Sequence, residues 1–207
     1  MTVATGTGLR ERQKARRRNA ILEAAAELFQ ELGYQGTSME AIAGRAEVGV
    51  ATVYNYFGSK GALLAALQEP EFTALEQQGL ALVESPPEDP VAGVRGLIAI
   101  YRHFQNDWSN RQLLSAIIGP GLSAEPILDE LAERAEARLK QQLRELLSRY
   151  RATGALRRDL ACADAAMVIF CVFNQHFIEY VTHEEMQFEA MSTAMQRQID
   201  LVVAGLS

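Results

Sequence analysis

The chain has 207 residues, a formal net charge of −6, 48% hydrophobic and 22% charged residues. That length can bury a substantial core, and the balance is that of a globular chain rather than a disordered one. Two cysteines exclude a disulfide-built scaffold. Cys162 and Cys171 are nine residues apart and fall on opposite faces of one helix, so they are expected as reduced core thiols of a cytoplasmic protein. The longest uncharged run near the C-terminus, 165–175, is shorter than the roughly 20 apolar residues a bilayer needs. Near the N-terminus Ile21-Leu22 is followed at once by Glu23 and Glu27, which breaks the apolar stretch a signal peptide requires. No membrane partner is expected.

The charge is unevenly spread. Residues 1–20 carry +5, residues 1–60 carry +2, and the remainder carries −8. A basic end on an acidic body suits polyanion binding at that end, although a solvated tail or a basic arm for RNA or a membrane surface fits charge alone.

In chain order, Ile21, Ala24, Ala25, Leu28, Phe29 and Leu32 recur at helical spacing and predict a first helix over 15–32 with Gly33 as its stop. Thr37-Ser38 offers a cap for a short helix over 39–46, and a second short helix is expected over 51–57. Gly58-Ser59 breaks the chain before a longer helix from Lys60, which Pro70 should kink or split. Residues 85–90 read as a loop, with Asp89-Pro90 as cap and first residue of the next helix. Helices are then expected over 91–108, 110–118, 124–151, 160–182 and 184–205. No period-2 strand is present, so the fold class is all-α.

The two short helices fit a helix-turn-helix. On a wheel of the second, Val50, Val53, Tyr54 and Phe57 form an inward apolar stripe, while Ala51, Thr52, Asn55 and Tyr56 form an uncharged outward face. Such a face suits a major groove: Asn can bond adenine twice, and Ala or Thr methyls can meet the thymine methyl. Lys60, together with the free N–H groups of the helix it begins, can hold a phosphate. On pattern alone, a helical hairpin with an uncommitted surface stays open.

The stretch Thr37-Ser38-Met39-Glu40-Ala41-Ile42-Ala43, followed by Ala46-Glu47-Val48-Gly49-Val50-Ala51-Thr52-Val53-Tyr54-Asn55-Tyr56-Phe57-Gly58-Ser59-Lys60, resembles the DNA-binding domain of TetR-family transcriptional regulators. The resemblance is close over 15–75 and one of layout beyond. It implies a basic arm (1–14), a DNA-binding domain (15–75) with its helix-turn-helix at 38–57, and a ligand-binding and dimerisation body (76–207). It also implies DNA-binding roles for Ser38, Met39, Gly49, Ala51, Thr52, Tyr54, Asn55, Tyr56 and Lys60, with Tyr54 packing its ring inward and offering its hydroxyl to a phosphate. Three positions depart from the family pattern: Glu47 where Gly is usual, Gly49 where a capping Ser is usual, and Gly61 where an acidic residue is common.

In the body, the 160–182 helix is apolar almost all round, with Ile169, Val172, Phe173, His176 and Tyr180 on one side. A helix without a polar face is buried on both sides. With Met191, Met195, Ile199 and Val202 of the last helix, these residues predict a four-helix dimer interface, which the resemblance also implies; closure of a larger monomer core is the other reading. Tyr101, Phe104, Gln105 and Trp108 share a stripe, and with Ile117, Met167, Phe170 and Asn174 they are expected to line a pocket for a mostly apolar effector, unless the amides simply bond within the core.

His176, Glu179 and His183 share a face, but two helical turns separate the imidazoles, so no metal site is expected. No catalytic triad, CxxC pair or phosphate-cradling Gly-rich loop occurs, and neither enzyme activity nor a cofactor is expected. The chain is expected to be a homodimeric, ligand-responsive regulator: a repressor that binds a palindromic DNA operator and is released by a small-molecule effector. The alternatives are an all-α carrier or enzyme with an incidental basic arm, and a regulator that answers to a partner protein.

Overall fold

A computed structural model of the chain describes residues 6–103, 125–183 and 185–206. Among the described residues there are eight helices and no strand: α1 (Gly6–Gly36), α2 (Met39–Arg45), α3 (Val50–Phe57), α4 (Lys60–Glu84), α5 (Pro90–His103), α6 (Pro126–Thr153), α7 (Cys162–Thr182) and α8 (Phe188–Ala204). The expected 110–118 helix lies outside the described residues. The chain forms two compact units, one of Met1–Pro70 with Glu125–Leu128, the other of Glu71–Ala124 with Asp129–Ser207.

The first unit holds α1 to α3 and the start of α4. Its core is the stripe read from the sequence, Ile21, Ala25, Leu28 and Phe29 of α1, joined by Ile42, Val53, Leu63 and Leu64. Gly33 breaks the helical path, as expected of a stop, with φ 72° and ψ 169°; the chain then turns helically again to Gly36. At its other end α1 is longer than expected. The basic segment is helical from Gly6, and residues 8–19 are exposed. Its Arg, Lys, Gln and Ala residues are good helix formers and extend an already nucleated helix without needing a core.

In the second unit, Val94, Leu97, Ile98, Leu143, Leu146, Leu147, Ile169 and Phe173 belong to one core cluster. Asp89 caps α5 as expected, accepting from the N–H groups of Val91 and Ala92 at 3.1 Å each. Gln142 of α6 is fully buried and satisfied on both sides. Its Oε1 accepts from the Tyr101 hydroxyl at 2.8 Å and its Nε2 donates to the Glu76 carbonyl at 2.9 Å. Gly79 makes this possible, because a Cβ there would run into the Gln142 amide. α4 runs unbroken through Pro70, where a kink or split is expected from the sequence.

Several expectations for the body change. Of the dimer residues, Ile169, Phe173, Tyr180, Met191, Met195 and Ile199 are buried in the unit's own core, and Val172, His176 and Val202 are half-buried. α7 and α8 consume these stripes by packing within one chain. The exposed apolar side chains of the pair are Met167, Val168 and Leu201, and the Cys171 thiol is exposed rather than in the core. By length and composition α7 could cross a membrane, although nine of its residues are buried within the protein.

The pocket expectation is also redrawn. Tyr101 and Phe170 are core residues, the first bonded to Gln142 and the second lying under the Lys140 ammonium at 4.6 Å. Asn174 is half-buried. Met167 is 48% exposed and lines an open groove of about 300 Å³ with Lys140 and Arg144. Phe104, Gln105, Trp108 and Ile117 lie outside the described residues. His176 faces Gln198 at 3.2 Å and the Glu179 carboxylate at 3.8 Å, and His183 faces the Glu179 carbonyl at 3.0 Å.

Candidate nucleic-acid interface

The helix-turn-helix is built from local signals. Thr37 is buried, and its hydroxyl is shared between the carbonyls of Leu28 (3.1 Å) and Gly33 (2.8 Å), which ties the end of α1 to the start of α2. Ser38 caps α2 by accepting from the Ala41 N–H at 3.1 Å. Met39 is 6% exposed, so the DNA contact expected of it is not available to its side chain. The hydrophobic side chain is held in the core, and only its backbone stays at the helix start.

α2 ends in a Schellman turn. The Val48 N–H reaches back to the Ala43 carbonyl at 3.0 Å, and the Glu47 N–H to the Gly44 carbonyl at 3.3 Å. Glu47 occupies the left-handed position, with φ 54°. Gly49 then stands at the N-cap of α3 without a side-chain bond.

α3 is anchored by Val53, which is fully buried. Ala51 and Asn55 are exposed, and Thr52 and Tyr56 are half-buried beside them. The face expected to meet base edges therefore projects from the unit. The inward stripe is narrower than the wheel implies. Val50 is 37% and Tyr54 47% exposed, so the Tyr54 ring is not packed inward.

Lys60 is the largest departure. Its ammonium donates to the carbonyls of Tyr34 (2.7 Å) and Thr37 (2.9 Å) and lies 4.4 Å from the Tyr34 ring centroid. Partial burial pushes its pKa down, with the Glu125 carboxylate opposing. In this structure the cation expected on a phosphate closes the end of α1 instead. Arg45 is likewise engaged, by Glu27 at 3.0 Å and Glu31 at 2.8 Å. Besides Arg45, the exposed cations of the unit lie on the N-terminal part of α1: Arg10, Arg12, Lys14, Arg16, Arg17 and Arg18. Arg18 sits 5.4 Å from the Phe57 ring centroid, so this turn of α1 lies beside the end of α3.

Glu125 belongs to this unit, yet no local pattern around it announces a role. Its carboxylate accepts from the Tyr34 hydroxyl at 2.9 Å, the Gly61 N–H at 2.8 Å and the Ser59 hydroxyl. Burial, followed by the Glu125 bond and charge, holds the Tyr34 phenol well above its usual pKa.

Residues 21–67 match the family model of bacterial regulatory proteins, tetR family. The transcriptional repressor KstR of Rhodococcus jostii is 30% identical over 138 residues, covering 65% of this chain and 56% of that protein. The transcriptional regulator RutR of Escherichia coli is 28% identical over 196 residues, covering 92% of this chain and 85% of its own. Among solved structures, the TetR-family repressor FadR of Thermus thermophilus, in complex with lauroyl-CoA, superposes with a TM-score of 0.68 at 23% identity, covering 92% of this chain and 95% of that one. These relatives are transcriptional regulators and not enzymes. Residues 21–67 therefore carry the tetR-family match, and over most of its length the chain is similar to transcriptional regulators and shares the all-α fold of TetR regulators.

Proposed function

We propose that the chain acts as a homodimeric repressor of a palindromic operator and is released by a small, mostly apolar effector. The observation that carries the reading is α3, where Ala51, Thr52, Asn55 and Tyr56 project together from a helix fixed by the buried Val53. Side chains on two such helices, related by a two-fold axis, read half-sites about one duplex turn apart, roughly 34–36 Å. Ser38, Gly49 and Tyr54 flank this face and supply backbone or hydroxyl donors to phosphates. The basic α1 extension adds sequence-independent attraction. Such a regulator works where the chromosome is, so the reading places it in the cytoplasm.

Dimerisation is assigned to the outer side of α7 and α8. Met167, Val168, Cys171 and Val172 share one side of α7, and Leu201 is 72% exposed on α8. Apolar surface of this kind on two long helices favours self-association. For the effector, support comes from the stripe of α5. Val94, Leu97, Ile98 and Tyr101 all face the core, as the sequence stripe that also holds Phe104, Gln105 and Trp108 predicts for the described part.

The test is selection of DNA from a random pool at fixed salt, with sedimentation for the oligomeric state. The selection is repeated with a panel of long-chain acyl-CoA, free fatty acid and planar aromatic compounds. A two-fold symmetric consensus bound by a dimer, and released by one member of the panel, is the expected result. Substituting Asn55→Ala should lower discrimination at one base position per half-site by about 1–3 kcal/mol while leaving the melting temperature unchanged. Equal affinity of the wild-type chain for every sequence would refute the reading.

A further inference from the structure

We propose that Glu125 is a positioning residue for DNA recognition. It holds the exit of the recognition helix from a segment 64 residues downstream of Gly61. The inference rests on the reading of α3 as the recognition helix.

α3 ends at Phe57, and Gly58 and Ser59 lead directly into α4. A helix start leaves N–H groups without partners inside the helix. Here the Ala62 N–H is met by the Ser59 hydroxyl oxygen at 3.1 Å, as a capping residue does. The next donor, the Gly61 N–H, is met by Glu125 at 2.8 Å, and the Ser59 hydroxyl gives its own proton to the same carboxylate oxygen. The other oxygen of Glu125 takes the Tyr34 phenol at 2.9 Å. One carboxylate thus joins the end of α1 to the start of α4, the two elements that bracket the helix-turn-helix. Lys60 makes a second tie between the same elements through the carbonyls of Tyr34 and Thr37.

Gly61 shows that the site is shaped for this carboxylate. A Cβ at position 61 would run into the Glu125 carboxylate and into its Cβ at 3.0 Å. Any side chain at 61 would displace Glu125. A carboxylate carried at 61 itself would stand where that of Glu125 now stands.

The chain passes from the first unit into the second immediately after Leu128. The acid that fixes the exit of α3 is therefore delivered by the segment that leads out to the sensing body. An acid at 61 would fix the same exit from within α4, independent of that segment.

The experiment measures affinity for the selected operator and for random duplex at one salt concentration, together with melting. Wild type, Glu125→Gln, Glu125→Ala, Gly61→Asp and the double variant Gly61→Asp/Glu125→Ala are compared. Glu125→Gln keeps the shape and sets an amide N–H against a donor. It should weaken operator binding by about tenfold, the usual scale for losing bonds to a charged group. Its affinity for random duplex should hold or rise, because a negative charge near phosphates has gone. Gly61→Asp alone should also weaken operator binding, because two carboxylates then compete for one set of donors. In the double variant one acid remains, and at least half of the loss seen in Glu125→Ala should return.

Equal losses on operator and random duplex would mark Glu125 as a merely structural residue and overturn the proposal. So would wild-type operator affinity in Glu125→Gln, or a double variant no better than Glu125→Ala. A wild-type chain that selects no operator would instead remove the recognition reading, and this inference with it.

Discussion

Glu47 offers the sharpest quantitative test of the helix-turn-helix. It is the residue at positive φ (54°) in the Schellman turn that closes α2, a position at which Cβ crowds the following carbonyl. The strain is about 1–2 kcal/mol for an L side chain. Substituting Glu47→Gly relieves it, and the greater freedom of glycine in the unfolded chain takes back about 0.5–1 kcal/mol. The net expectation is a gain of about 0.5–1 kcal/mol. For a unit of this size that is a rise of roughly 3–6 °C in its melting temperature. Glu47→Ala is the necessary control, since it removes the same carboxylate and keeps the strained backbone. It should melt close to wild type. Both variants should bind DNA more tightly than wild type and by similar factors, because both remove a negative charge from the turn before the recognition helix. Differential scanning calorimetry and a salt titration of duplex binding separate the two effects. If alanine stabilises as much as glycine, the gain comes from charge and the backbone argument is wrong.

Two further outcomes follow from burial. Val53 is the one fully buried residue of α3, so Val53→Ala should cost about 2 kcal/mol from lost burial and the cavity left behind, and should weaken operator binding through a loosened recognition helix. Undiminished stability would mean that α3 is held by something other than this contact. Burial is the first cause raising the phenol pKa values of Tyr34, Tyr101 and Tyr150 in the fold. An acid whose pKa is raised by folding contributes stability that is fully present below its unfolded value and is lost as pH rises above it. Melting temperature should therefore hold to about pH 10 and fall beyond, where unfolded tyrosines ionise. Tyr101→Phe should flatten part of that fall while lowering stability at neutral pH by about 1–3 kcal/mol, because the Gln142 oxygen loses its donor. An unchanged alkaline limb in that variant would refute the assignment.

Much of the first unit was legible because its signals are local. Ser38 three residues before Ala41, the α1 stripe from Ile21 to Phe29 and the inward Val53 of α3 all act within a turn or two of chain. Lys60 departs from its local pattern for the same reason. Its neighbours in sequence suggest a helix start open to phosphate. The carbonyls it meets belong to Tyr34 and Thr37, more than twenty residues upstream. Glu125 could not have been found at all from its surroundings, since its three donors lie 64 to 91 residues away.

The body is a different case. Periodicity shows that a face is buried, but it does not say against what. The all-round apolar α7 demands two-sided burial, and the sequence offers two ways to supply it: a second copy of the chain, or its own neighbours. The structure supplies own neighbours for Ile169, Phe173 and Tyr180, with Met191, Met195 and Ile199 of α8 in the same cluster. The proposed dimer surface is thereby shifted by a few residues around the same helices, to Met167, Val168 and Leu201. The shift has an energetic consequence. A dimer built on core stripes would have no stable folded monomer, and its melting would depend strongly on concentration. A dimer built on a thinner outer face joins protomers that are already folded. Dissociation on dilution should then precede unfolding, and a charge placed at Val168 should yield a folded monomer with intact melting and lost operator binding.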